Sequence, residues 1–191
     1  MKFLFVRAVP VLAGAALVAG CAALPPDMRM GAAPTTRIVV AGAPFNAAER
    51  DFVTKVATKS MYEIEVSRLA ADKALSPAVR EFAQTMVRHH TQMNNELIAL
   101  MSAHGVAPPR GLAPDKSTKL HKLAALPRSD GFDNGYIRVV GIEDHREAIA
   151  MFEKARRDVR DSDLRLFVDR TLAVLRAHLA MAQNVAAGMA G

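Results

Sequence analysis

The sequence predicts an all-α protein built on a bundle of four long helices. Three observations carry that expectation. From residue 46 onward apolar residues recur three or four apart, and no stretch keeps the strict alternation of a half-buried strand. Four stretches of similar length each carry one apolar stripe, which must be buried against the others. The first and second stretches are joined closely, as are the third and fourth, but about 25 residues separate the second from the third. A connection of that length can run the height of a bundle. The expected topology is therefore ferritin-like, with one long crossover between helices two and three.

The chain opens "MKFLFVRAVPVLAGAALVAGCAAL". Lys2 and Arg7 give a positive start, an apolar run extends from Ala8 to Ala19, and small residues precede Cys21. Residues 1–20 resemble a bacterial lipoprotein signal; a plain secretory signal shares the charged start and apolar middle. Pro10, Gly14 and Gly20 interrupt the run, which is shorter than the about 20 residues a membrane-spanning helix needs. Cys21 is the single cysteine of the chain, so no intramolecular disulfide can form. The resemblance implies that Cys21 becomes the first mature residue and is acylated, and two or more acyl chains anchor a protein firmly to a membrane. It implies a location in the bacterial cell envelope, facing the periplasm. Ala22 after the cysteine, rather than Asp, goes with the outer membrane in enteric bacteria. Residues 21–45 are rich in Pro, Gly, Ala and Thr and read as a flexible tether.

The bundle occupies residues 46–191. A first helix is expected over 46–74. Asn46 with Glu49 three residues later is an N-cap and its returning carboxylate, and Phe52, Val56, Glu63, Val66 and Ala70 recur at helical spacing. A second is expected over 76–104, with Ser76 as cap, Pro77 in the first helical position and Gly105 as the stop. Phe82, Met86, His90, Met93, Leu97 and Leu100 share its face. "VAPPRGLAP" breaks the chain, and a short helix is expected from Asp115 to Ala125. The third long helix, 130–157, places Ile142, His145, Ile149 and Phe152 in phase. The fourth, 162–189, does the same for Phe167, Thr171, Val174, Leu175 and His178.

Each long helix carries one polar residue near the middle of its apolar stripe: Glu63, His90, His145 and His178. All four lie within about three residues of their helix midpoints, or about 5 Å along the axis. Side-by-side packing brings one carboxylate and three imidazoles into one layer, a candidate ligand set for a single divalent metal such as Zn, Fe or Mn. The same residues could instead form a closed polar network, Glu63 accepting from imidazole N–H groups, which fixes register and binds nothing. Val87, Ile142 and Leu175 stand three residues before the histidines, so the Glu-x-x-His pairs of a di-iron bundle are missing. His89 lies about 100° round the helix from His90 and is expected off the shared face. His104 suits a helix C-terminus, and His121 reads as a surface residue. Glu143 and Asp144 either support His145 or flank it. The ten methionines read as gap-filling core.

Other classes of function find little support. The formal charge of +6 falls to +4 without Lys2 and Arg7, and basic residues alternate with acids, as in "EKARRDVRDSDLR". With no Trp and 5% aromatics, this is no nucleic-acid surface. No nucleophile motif, phosphate loop or CxxC is present, so no catalytic residue is assigned. The leading expectation is a non-catalytic envelope lipoprotein whose bundle holds a polar Glu/His centre, with one divalent metal as the candidate ligand of that centre. A metal-free structural or partner-binding module and a metal-dependent redox enzyme are the alternatives.

Particular stretches resemble a known family. "MYEIEVSRLAADKALSPAVREFAQTMVRHH" is similar to its pattern of a Glu in the first helix, then Ser/Asn-Pro and Phe-Ala-x-x-Met-x-x-x-His. "GFDNGYI" matches its Phe-Asp-x-x-Tyr element at Phe132, Asp133 and Tyr136, and "DHREAIAMFEKA" and "TLAVLRAHLAMA" match its last two helices. The likeness, over about residues 46–187, is to a widespread bacterial family of domains of unknown function, often labelled (outer) membrane proteins. It implies a ferritin-like bundle and an envelope location, and supplies no reaction. Glu63, His90, His145 and His178 fall on characteristic positions; His89 stands where an acidic residue is usual.

Overall fold

The structure, a computed structural model, describes residues 42–189. The signal, Cys21 and most of the expected tether lie outside the described residues. Six α-helices follow in order: α1 (Ala47–Lys73), α2 (Pro77–Ala103), α3 (Pro114–Ala125), α4 (Asp130–Tyr136), α5 (His145–Asp158) and α6 (Ser162–Met189). A π-helical segment, Ile137–Asp144, joins α4 to α5, so the three form one continuous rod. Among the described residues there is no strand, and no helix is long and apolar enough to cross a membrane. The fold is an all-α bundle.

The helix starts are set by side chains. Asn46 Oδ1 accepts from the Glu49 N–H at 3.0 Å, and Glu49 Oε2 accepts from the Asn46 N–H at 3.0 Å, satisfying two donors at the head of α1. Ser76 and Pro77 open α2, Ser129 caps α4, and Asp161 accepts from the Leu164 N–H at 2.8 Å to open α6. Gly105, with φ of 71°, ends α2 in the left-handed region that glycine enters without a Cβ penalty.

Two buried carboxylates define the topology. Asp133 accepts from the Leu75 N–H at 3.1 Å and the Ser76 N–H at 2.7 Å, so α4 begins beside the turn between α1 and α2. Glu49 Oε1 accepts from the Arg160 N–H at 2.9 Å and the Asp161 N–H at 3.0 Å, so the turn between α5 and α6 lies beside the start of α1. The connection carrying α3 therefore runs the length of the bundle. The α4–π–α5 rod is parallel to α2, which is the predicted single crossover. Burial works to raise the Glu49 pKa, but the N–H groups of Asp161, Arg160 and Asn46 outweigh it and hold the carboxyl below its usual range.

The core divides along the bundle axis. One apolar cluster includes Phe52, Leu97, Phe152 and Phe167; the other includes Tyr62, Phe82, Met86 and Tyr136. Glu63, His90, Asp144, His145 and His178 are buried between them as a polar layer. Residues 42–45, assigned above to the tether, pack on this bundle: Phe45 stacks on His104 at 3.9 Å and the Gly42 N–H bonds the Ala103 carbonyl at 3.1 Å.

The third rod departs from a regular helix. Ile142 and Ile149, expected on its buried face, are half-buried. Buried pairs recur every four residues instead, at 132/133, 136/137, 140/141 and 144/145. In an α-helix each four-residue step turns the face by about 40°; the wider π turn keeps it aligned. Gly141 lies against α6, where a Cβ would stand 2.8 Å from the Ala182 Cβ. That close approach sets the distance between the rod and α6 one turn before His145.

Candidate metal centre

His90 from α2, His145 from α5 and His178 from α6 converge, each offering a ligand nitrogen within 4.8 Å of the others. All three are buried. Burial holds each imidazole neutral: His178 is pushed down to about 3 by desolvation and by His145 and His89. His90 is held well below its usual value by desolvation and its histidine neighbours. For His145 desolvation also lowers the pKa, against the opposing pull of the Val140 carbonyl and Asp144. Neutral rings present lone pairs, which is the state a metal requires.

The hydrogen bonds fix the tautomers. His145 Nδ1 lies 2.9 Å from the Val140 carbonyl oxygen. A carbonyl only accepts, so Nδ1 carries the proton and Nε2 the lone pair. His145 Nε2 lies 3.2 Å from His178 Nδ1, which must donate to it. The lone pair of His178 is then on Nε2, 2.9 Å from His89 Nδ1. One ordered chain thus runs from the exposed His89 to a buried backbone carbonyl. Two ligand nitrogens on a tetrahedral metal with bonds of about 2.0–2.1 Å stand about 3.3 Å apart. The 3.2 Å between His145 and His178 matches that spacing, so a cation could replace the shared proton.

His90 is different. Neither of its ring nitrogens has a hydrogen-bond partner among the described residues, although both are buried. Its ring centroid is 5.7 Å from that of His145 and 5.4 Å from that of His178. Burying such groups without partners costs about 1–3 kcal/mol apiece. Glu63 Oε2, Asn94 Oδ1 and Asp144 Oδ2 are buried and unpartnered in the same way. All four residues line one cavity of about 30 Å³ between α1, α2, α5 and α6. That volume has room for about two waters, and its apolar wall includes Met93, Leu97, Phe152 and Phe167.

Glu63 stands outside the converging imidazole group but lines the same cavity. Burial, and secondarily Asp144, raise its pKa to about 8, so the metal-free carboxyl is largely protonated near neutrality. Asp144 Oδ1 is 3.4 Å from the Lys119 Nζ of the crossover helix, and Lys59 pairs with Glu147 at 2.6 Å. The closed network in which Glu63 accepts from imidazoles does not form.

Two residues were missed. Asn94 is buried one turn from His90 and was readable as a polar residue on the same stripe. His89, expected to point away, reaches His178 because α6 is the lateral neighbour of α2. A residue about 100° off the core face of a bundle helix points toward an adjacent helix, not straight into solvent. His104 is buried against Phe45, with Nδ1 donating to the Ala43 carbonyl at 2.6 Å, and His121 is exposed.

Fold and site together define an all-α bundle with a buried histidine cluster in its middle layer. The chain belongs to the domain-of-unknown-function family DUF4142, whose model matches residues 35–185. No curated protein matches it. Among solved structures it is similar to the crystal structure of a DUF305 fragment from Deinococcus radiodurans, with a TM-score of 0.66 and 16% identity over 75% of this chain and 98% of that one. At that identity the likeness is one of fold.

Proposed function

We propose that the bundle binds a single divalent metal, Zn, Fe or Mn, through His90, His145 and His178, with Glu63 as a fourth candidate ligand. The observation that carries this reading is the buried, unpartnered His90 beside two imidazoles already at ligand spacing. Nitrogen donors favour zinc and iron over manganese. Supplying a ligand to the neighbouring cavity relieves its unpartnered polar atoms. The domain is read as ferritin-like from its single crossover, and as an envelope lipoprotein held to the outer membrane through acylated Cys21 and facing the periplasm. That location rests on the sequence of residues 1–21.

A metal-free structural centre is the second reading. It is favoured by the chain from His89 through His178 to His145, in which the ring nitrogens already serve one another as hydrogen-bond partners. A redox enzyme is the third reading, and it requires an open coordination position on the bound metal. Elemental analysis of protein purified without chelator separates the readings. Stoichiometric metal that disappears in His145→Ala supports the site. Protein that stays metal-free after incubation with Zn, Fe and Mn removes it. For the anchor, acyl mass on the mature N-terminus that is lost in Cys21→Ser is the expected result.

A further inference from the structure

We propose that His89 and His178 form an outer, solvent-facing two-imidazole site through which a divalent cation enters the buried centre. This rests on the metal reading above and adds a route to it. His89 Nδ1 and His178 Nε2 are 2.9 Å apart, with ring planes 15° from parallel and centroids 5.2 Å apart. His89 is exposed, and His178 is fully buried. His178 faces the outside with one nitrogen and His145 with the other. A cation held between His89 and His178 is therefore one ring away from the inner position between His178 and His145. Passage inward requires His178 to carry its ring proton on Nε2 instead of Nδ1, with His89 Nδ1 then accepting, so each ring stays a neutral ligand and no proton has to leave.

The opposite side of the bundle is unsuited to cation entry. Helices pair in the order α1, α2, α6, α5, and Lys59 on α1 reaches across to Glu147 on α5. There Lys59 lines the cavity, Lys119 pairs with the buried Asp144, and Lys116 lies 5.1 Å over the Tyr62 ring. Three ammonium groups flank the carboxylates on that side and repel an approaching cation. The α2–α6 side carries the imidazoles of His89 and His178 in their place.

The test is the kinetics of cobalt(II) uptake, followed by visible absorption, with release driven by EDTA. His89→Gln is the variant, since its amide N–H can still donate to His178 Nε2 and preserve the inner tautomers. A residue on the path but outside the final site changes uptake and release by the same factor. We expect both to slow by at least about tenfold, the effect of a barrier raised by about 1.4 kcal/mol, with Kd unchanged. Unaltered rates in His89→Gln overturn the entry site. So does a weakened Kd with unaltered uptake, which makes His89 a support of the final site, and so does faster uptake in Lys119→Ala alone, which places entry on the lysine side. Each of these leaves the metal reading standing. Wild-type protein that takes up no cobalt, zinc, iron or manganese overturns both.

Discussion

A backbone carbonyl at Val140 dictates the protonation of three side chains. Because it only accepts, His145, His178 and His89 must all donate in one direction, and His90 is left outside the chain. The depressed imidazole pKa values make the metal-free protein acid-sensitive. His178 titrates near 3 when folded and about 6.5 when free. Between those values the unfolded chain holds a proton that the folded chain does not, so its stabilisation is full above about 6.5 and is lost as pH falls. Chemical denaturation is expected to show a loss of about 2 kcal/mol from this residue between pH 6.5 and 5. Glu63 has the opposite sign. Its raised pKa favours the fold below about 4.5, and that contribution is lost as pH rises through about 8. Glu63→Gln is therefore expected to gain stability relative to wild type between pH 6 and 8, measured by the same titration.

At the scale of elements, caps and turns made most of the fold legible. Asn46, Ser76 and Pro77 gave helix starts within a residue of those observed, because each local motif satisfies N–H groups that nothing else would satisfy. The π segment was not legible. Over a short window a four-residue burial period resembles 3.6, and Gly141 was its one hint. Gly141→Ala is expected to cost about 1–3 kcal/mol, because its methyl would stand 2.8 Å from Ala182 on α6. Pushing α6 outward also separates His178 from His145, so metal affinity should fall with stability. Thermal melts and metal titration of that variant check both. Asp133, noted only as part of a family pattern, proves to be a tie between α4 and the α1–α2 turn. Asp133→Ala leaves two backbone N–H groups without their carboxylate and is expected to cost about 2–3 kcal/mol by denaturant unfolding.

The bundle, over the described residues, is two apolar cores with a polar plate between them. The level of Glu63, His90, His145 and His178 could be counted from helix midpoints, because four rods of similar length and short turns leave little freedom along the axis. Their lateral arrangement could not be counted. Which helix faces which decides that His89 meets His178 and that Glu63 stands apart from the imidazole group. A ligand that joins α2, α5 and α6 stabilises the folded state by mass action, by about 2.7 kcal/mol at a hundredfold excess over Kd. The melting temperature should therefore rise with metal and fall with chelator, and both shifts should be smaller in His90→Ala, which keeps two of the three imidazoles. Metal binding by the three imidazoles is read out by X-ray absorption at the edge of the bound metal. We expect at least three imidazole nitrogens at about 2.0–2.1 Å, with one lost in His90→Ala. Metal bound without imidazole scattering, or a spectrum unchanged in that variant, would contradict it.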